Sequence, residues 1–218
     1  MAGLGVVLTL AVFGAVQLTH HLQTPLAPEA SGITIQWIPD SVRRWQQPIN
    51  TMAKRYDIDP NLIAIIMTME SGGYSKADSG EAQGLLQITP PTAKDIAAHD
   101  LKQVVHSYDI WDPTTNIEFG TAYLAHLRDV YGSTDQGPSW ISTVELVAAA
   151  YNGGYTAANR LYKGQGLTGT QTVVYSRDAF NMWRERHAAS SPTFDRWQER
   201  GGSDLLAKAQ AEMQAAQH

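Results

Sequence analysis

Cysteine is absent from the 218 residues, so neither a disulfide framework nor a thiolate metal site can be built. The absence fits any compartment and decides nothing about redox environment. Basic runs are missing as well: 16 Lys and Arg stand against 21 Asp and Glu, for a formal net charge of −5. A mildly acidic chain without a basic stripe lacks the electrostatic footprint of a nucleic-acid binder, so nucleic acid is not expected as a partner. The same balance says little against a neutral or anionic glycan. Nowhere do apolar and polar residues alternate with a sustained period of two, so strands are not expected and an all-α fold is. Internal repeats are absent. The pair His20-His21 has no third ligand nearby, and no other cluster calls for a metal or cofactor.

Met1 to Thr19 carries no charged side chain and is rich in Leu, Val, Ala and Gly. That is about the length needed to cross a bilayer. A cleaved signal peptide is the rival reading, but it wants Lys or Arg before the apolar core, and none is present. Residues 1–19 are therefore expected to anchor the chain in a membrane, and either reading places the folded part outside the cytoplasm. Residues 20–40, with Pro25, Pro28, Ser31 and Gly32, hold no helical period and read as a tether.

Residues 41–187 are expected to form the folded domain. Ser41 to Tyr56 reads as a first helix, restarted at Pro48. Asp59 is a natural N-cap and Pro60 suits the first position of a helix running to Glu70. A loop follows at Ser75 to Ala82. Thr89 caps a helix opened by Pro90 and Pro91, and Asp112-Pro113 starts another that Gly132 ends. Ser142 with Glu145 makes a capping box for the helix leading into Tyr151-Asn152-Gly153-Gly154. A short helix spans Thr156 to Lys163. Thr170 to His187 holds one more, with Val174, Ala179, Met182 and Trp183 as core contacts. Residues 188–218 form an appendage, broken by Ser190-Ser191-Pro192 and Gly201-Gly202, with an Ala/Gln-rich helix near the end.

The chemistry centres on Glu70. Counting back from it by three, four and seven reaches Met67, Ile66 and Ile63, all on its own helical face. A carboxyl carried into apolar surroundings has its charged form disfavoured, which makes it a usable general acid near neutral pH. The plainer reading is a glutamate at a helix end reaching solvent past Gly72.

The surrounding motifs separate the two. Glu70-Ser71-Gly72-Gly73 is followed by Gly84-Leu85-Leu86-Gln87-Ile88, then by Asn116-Ile117 with Gly120 and Tyr123-Leu124, then by Ala150-Tyr151-Asn152-Gly153-Gly154. In this order they resemble the soluble lytic transglycosylase family, over roughly Trp45 to Arg186. The resemblance implies a lysozyme-like helical domain. It implies cleavage of peptidoglycan between N-acetylmuramic acid and N-acetylglucosamine, with Glu70 as acid and then base and a 1,6-anhydromuramyl product. It assigns Gln87 and Ser79 to the sugar cleft and Tyr151 to a hydrogen bond with Glu70. Asn152 would belong to the cleft wall and Ser71 to the Glu70 region, and with Tyr151 they would count among the substrate-binding residues. Asn116 reads as a structural helix-start residue.

Three departures from the family pattern stand out. The stretch from Glu70 to Gln87 is one residue shorter than usual, Glu81 stands where a glycine is common, and Leu86 replaces a methionine. Leu86 is expected to offer the sugar an apolar surface. Glu81 and Asp78 place extra carboxylates near the cleft, which opens a hydrolase as the alternative reading. A silent glycan-binding module is the third. Partners implied are peptidoglycan strands and the membrane, within wall turnover or an envelope-spanning secretion, conjugation or phage apparatus.

Overall fold

Asp59 opens the helix around which the molecule is organised. Its side chain accepts from Asn61 N at 2.8 Å, and Pro60 takes the first helical position, where its missing N–H costs nothing. In the computed structural model, which describes residues 26–99, 108–132, 141–167 and 169–217, this helix is Pro60–Ser71. We number the helices in chain order: α1 Asp40–Arg43, α2 Gln46–Tyr56, α3 Pro60–Ser71, α4 Pro90–His99, α5 Pro113–Gly132, α6 Thr143–Tyr162, α7 Thr170–Arg184, α8 Pro192–Trp197 and α9 Ser203–Ala215. A π-type turn, Gln198–Gly202, joins the last two.

Every residue of α3 except Glu70 is buried. A helix apolar all round belongs inside a protein, and the others are arranged around it. Ile63, Ile65, Ile66 and Met67 have no exposed surface, and neither do Leu124 and Leu127 of α5 or Val147, Ala149 and Ala150 of α6. Each large side chain so buried contributes about 1.5–3 kcal/mol. Among the described residues there is no strand, only isolated bridges pairing Gln83 with Asp78 and with Ile88. The fold is all-α.

Several elements differ in detail from expectation. The first helix breaks at Arg44 and Trp45, and Pro48 lies in the first turn of α2, where proline is tolerated. The two helices expected around Tyr151 and Thr156 run as one, α6, kinked where Gly154 adopts φ 72° and ψ 179°. Residues 26–38, expected as part of a tether, pack against the domain. Ile33, Ile35 and Ile38 are buried, and the polar start of α3 holds the segment by its backbone. Glu29 N donates to Asp59 Oδ2 and Thr34 N to Asn61 Oδ1, each at 2.8 Å. The missing helical period there marks an extended covering strip.

The expected anchor, residues 1–19, lies outside the described residues. Among the described residues no helix is long and apolar enough to cross a membrane. At the other end the appendage lies on the domain: Phe194 of α8 meets the Trp37 ring at a centroid distance of 5.6 Å, and Arg200 pairs with Asp178 of α7.

Candidate active site

The end of α3 is shaped to deliver Glu70. Gly72 takes a left-handed φ of 61° and closes the helix with its N–H on Thr68 O. Ser71 is buried at the turn: its Oγ donates to Leu85 O at 2.7 Å and accepts from Gly73 N at 3.1 Å. Ser71 thus ties the helix to the following loop and does not face open space. That corrects its expected place among substrate-binding residues, since full burial leaves no surface to offer.

The loop carrying Gln87 is pinned from α5. Asn116, fully buried, accepts Leu86 N on Oδ1 at 2.7 Å and donates from Nδ2 to Gln83 O at 2.8 Å and Ile110 O at 3.0 Å. Gly84 sits over that amide with φ 78°, and a Cβ added there would meet Asn116 Nδ2 at 2.2 Å. Gln87, itself at φ 44°, turns its Nε2 onto Ala77 O and Gly84 O at 2.9 and 3.0 Å. Leu86 has no exposed surface and packs where α5 carries Gly120, so it presents no apolar face to a ligand. Its carbonyl, though, accepts the Tyr151 hydroxyl at 2.7 Å.

That bond relocates a predicted contact. The hydroxyl on Glu70 belongs to Tyr175 of α7, which donates to Oε1 at 2.5 Å. Tyr151 stands beside the pair, against the Tyr123 ring at 5.3 Å, with its own hydroxyl committed to Leu86 O. Asn152 accepts Thr172 Oγ1 at 2.9 Å and so joins α6 to α7. Tyr175 shares one face of α7 with the buried Ala179 and Met182, at spacings of four and seven. That periodicity was the available signal for it. Of the expected core contacts on α7, Val174 is 37% exposed instead.

Glu70 borders a cavity of about 440 Å³, with Tyr74, Lys76, Ala77, Asp78, Ser79 and Gln87 from the loop and Leu205 and Lys208 from α9. The expected cleft residues Glu70, Ser79 and Gln87 therefore come together. Ser71, Tyr151 and Asn152 stand behind or beside them, and Glu81 is exposed outside the cavity wall. Ser79 Oγ is bonded to Ala82 within its own loop. The contribution of α9 had no signal in the sequence.

The electrostatics follow from this enclosure. Burial pushes the Glu70 carboxyl from 4.5 up to about 7, against the Tyr175 hydrogen bond, which pulls it down. Burial and the neighbouring Glu70 charge hold both Tyr151 and Tyr175 well above 10, so both stay protonated and able to donate. Near neutral pH the site offers one carboxyl that exchanges its proton, one hydroxyl holding it in place, and polar groups around an open volume.

A helical body that brings a single tuned acid to the edge of a cavity is a lysozyme-like architecture. The transglycosylase SLT domain model matches residues 47–173, and the chain belongs to that family. The membrane-bound lytic murein transglycosylase C of Salmonella arizonae is 28% identical over 186 residues, 78% of this chain and 51% of that protein. The protein of the same name from Edwardsiella ictaluri is 33% identical over 187 residues, with the same coverage. The chain thus spans about half the length of the curated relatives it matches. Its fold is similar to that of lytic transglycosylase Slt from Pseudomonas aeruginosa, solved as an inactive mutant, with a TM-score of 0.52 and 21% identity over 67% of this chain and 25% of that one. Tyr175 and the whole of α8 and α9 lie beyond the stretch that the family model matches.

Proposed function

We propose that the protein is a peptidoglycan lytic transglycosylase that cuts the β-1,4 bond between N-acetylmuramic acid and N-acetylglucosamine. The observation that carries this reading is Glu70, poised at about 7 on the wall of a cavity with Ser79 and Gln87. In the protonated form it gives its proton to the leaving glycosidic oxygen as the bond to C1 breaks. The carboxylate so formed takes the proton of the C6 hydroxyl on the same muramyl residue, O6 bonds to C1, and Glu70 returns to its starting state. No water is consumed. Because the nucleophile is tethered to the reacting carbon, little entropy is lost in bringing the two together. One carboxyl then serves where most glycosidases need two. Tyr175 keeps Glu70 oriented through both transfers, and Ser79 and Gln87 present polar atoms to the sugars. Family membership and the names of the relatives support the same reading. Residues 1–19, uncharged throughout, hold the domain at a membrane facing the wall.

Digestion of purified peptidoglycan tests this. The parent is expected to release 1,6-anhydromuramyl ends, identified by mass spectrometry, and Glu70→Gln none. Equal release by both would remove Glu70 from the mechanism. A second reading rests on Asp78, which shares the cavity with Glu70 and would activate water for hydrolysis. Reducing ends that disappear in Asp78→Asn would establish it in place of the first.

A further inference from the structure

The cavity at Glu70 is completed by a segment outside the family match. Helix α9 turns Leu205, Lys208 and Glu212 toward the domain at spacings of three and seven, so the three share a face. Leu205 sits against Gly72, where a Cβ would meet its backbone at 3.2 Å, and lines the cavity that Glu70 borders. Glu212 reaches the loop after α3: its carboxylate accepts Ser75 N at 3.2 Å, the Ser75 hydroxyl, and the Arg44 guanidinium. Burial works against the Glu212 charge, but these bonds hold its carboxyl below the ordinary range, so the clamp is intact at neutral pH.

Ser75 immediately precedes Lys76, and Lys208 lies one turn before Glu212. A single carboxylate therefore fixes both lysine-bearing segments, and both lysines line the Glu70 cavity. Among the described residues no carboxylate lies within 4.0 Å of either ammonium. Asp78 faces the same volume, with Oδ1 accepting Gly80 N at 2.8 Å. Burial raises the Glu70 carboxyl to about 7, so near neutral pH it carries less than a full negative charge. In a chain of net charge −5, the two lysines on one cavity rim outweigh the single Asp78 carboxylate there and leave a small excess of positive charge that favours an anion.

We propose that Lys208 and Lys76 form an anion-binding edge of the active site that takes a carboxylate carried by the glycan strand, with Glu212 as the residue that positions both. The proposal rests on the peptidoglycan reading above. A strand offers that chemistry from two sources: the carboxylates of its stem peptides, and the lactyl carboxylate of muramyl residues whose stems have been removed.

The test uses the full chain carrying Glu70→Gln, so that binding is read without turnover. Sedimentation with intact peptidoglycan and with amidase-stripped glycan strands is compared for this chain, for the same chain with Lys76→Met and Lys208→Met, and for a control with Lys163→Met. All three lysines are exposed, so the substitutions leave the core untouched. The double substitution is expected to weaken binding about tenfold and to flatten its salt dependence, while the control does neither. Loss on intact material alone assigns the stem carboxylates; loss on stripped strands assigns the lactyl group. In the chain that retains Glu70, the same pair raises KM with kcat unchanged, and Glu212→Gln moves KM in the same direction. Unchanged binding and salt dependence on both materials would overturn the proposal while leaving the transglycosylase reading intact. A parent that neither binds nor degrades peptidoglycan would overturn that reading, and this proposal with it.

Discussion

Glu70 and Tyr175 make opposing contributions that can be separated by pH. Burial raises the carboxyl toward 7 and the tyrosine hydroxyl pulls it back. A reaction that begins with protonated Glu70 loses rate as pH rises through that value. Tyr175→Phe removes the lowering influence, so the alkaline fall of kcat/KM is expected at higher pH than in the parent, with a lower maximum because the acid is less well oriented. Tyr151→Phe is expected to leave the position of that fall unchanged, since its hydroxyl bonds Leu86 O. A pH–rate series on the two variants decides the matter; a shift with Tyr151→Phe alone would mean that Tyr151, not Tyr175, bonds Glu70.

The same carboxyl also acts on stability. Its folded-state value lies above its ordinary 4.5, so between those values the folded protein holds a proton that the unfolded chain has released. Stability from this group is therefore full below 4.5, declines as pH rises toward 7, and stays low above it. Glu70→Gln removes the burden: at pH 8 it is expected to be more stable than the parent by on the order of 2 kcal/mol, and at pH 4 nearly equal. Thermal melts at the two pH values measure the difference. A gain independent of pH would mean that something other than ionisation is responsible.

Elements show which parts of the site were legible. The caps at Asp59 and Ser142 and the prolines opening α3 and α5 all act through neighbours one turn away, so local sequence reports them. Glu70 was legible for the same reason, from apolar positions on its own helix. What a hydroxyl or amide bonds across the fold is a different kind of information. Tyr151 and Tyr175 are both aromatic residues on helices facing Glu70, and only the relative placement of α6 and α7 decides which one reaches it. Asn116 illustrates how one side chain can govern an element far along the chain. Asn116→Ala would leave the buried Leu86 N and the half-buried Ile110 O without this partner, while Gln83 O would keep Ile88 N at 3.0 Å. A loss of about 2–4 kcal/mol is expected in urea unfolding, together with a fall in kcat as the Gln87 turn loosens. Loss of stability without loss of kcat would mean that the turn keeps its shape unaided.

At the scale of the molecule, the two flanks of the family domain meet each other. Trp37, from the extended strip before α1, donates from Nε1 to Glu185 O at 3.1 Å and faces Phe194 of α8; Phe194 in turn stacks on Trp197 at 5.6 Å with ring planes 19° apart. Arg186 reaches Glu29 at 2.8 Å across the same junction. Neither flank carries a strong helical pattern or a motif of its own, which is why one reads as a tether and the other as an appendage. Their stability comes from contacts between residues separated by some 150 positions, and periodicity within either segment cannot encode that. Because α8 leads through the π-type turn to α9, the junction also fixes Lys208 and Leu205 at the cavity. Phe194→Ala removes the central ring of this row, at a cost of about 3 kcal/mol, which corresponds to a drop of roughly 10 °C in Tm for a chain of this size. If the flanks fold as one cooperative body with the domain, the unfolding transition stays single and shifts as a whole. Limited proteolysis at 20 °C then cuts Phe194→Ala no faster in residues 188–202 than elsewhere. Selective cleavage there, with the main transition unmoved, would show instead that α8 and α9 open as a local unit, and that the cavity loses its α9 wall without the domain unfolding.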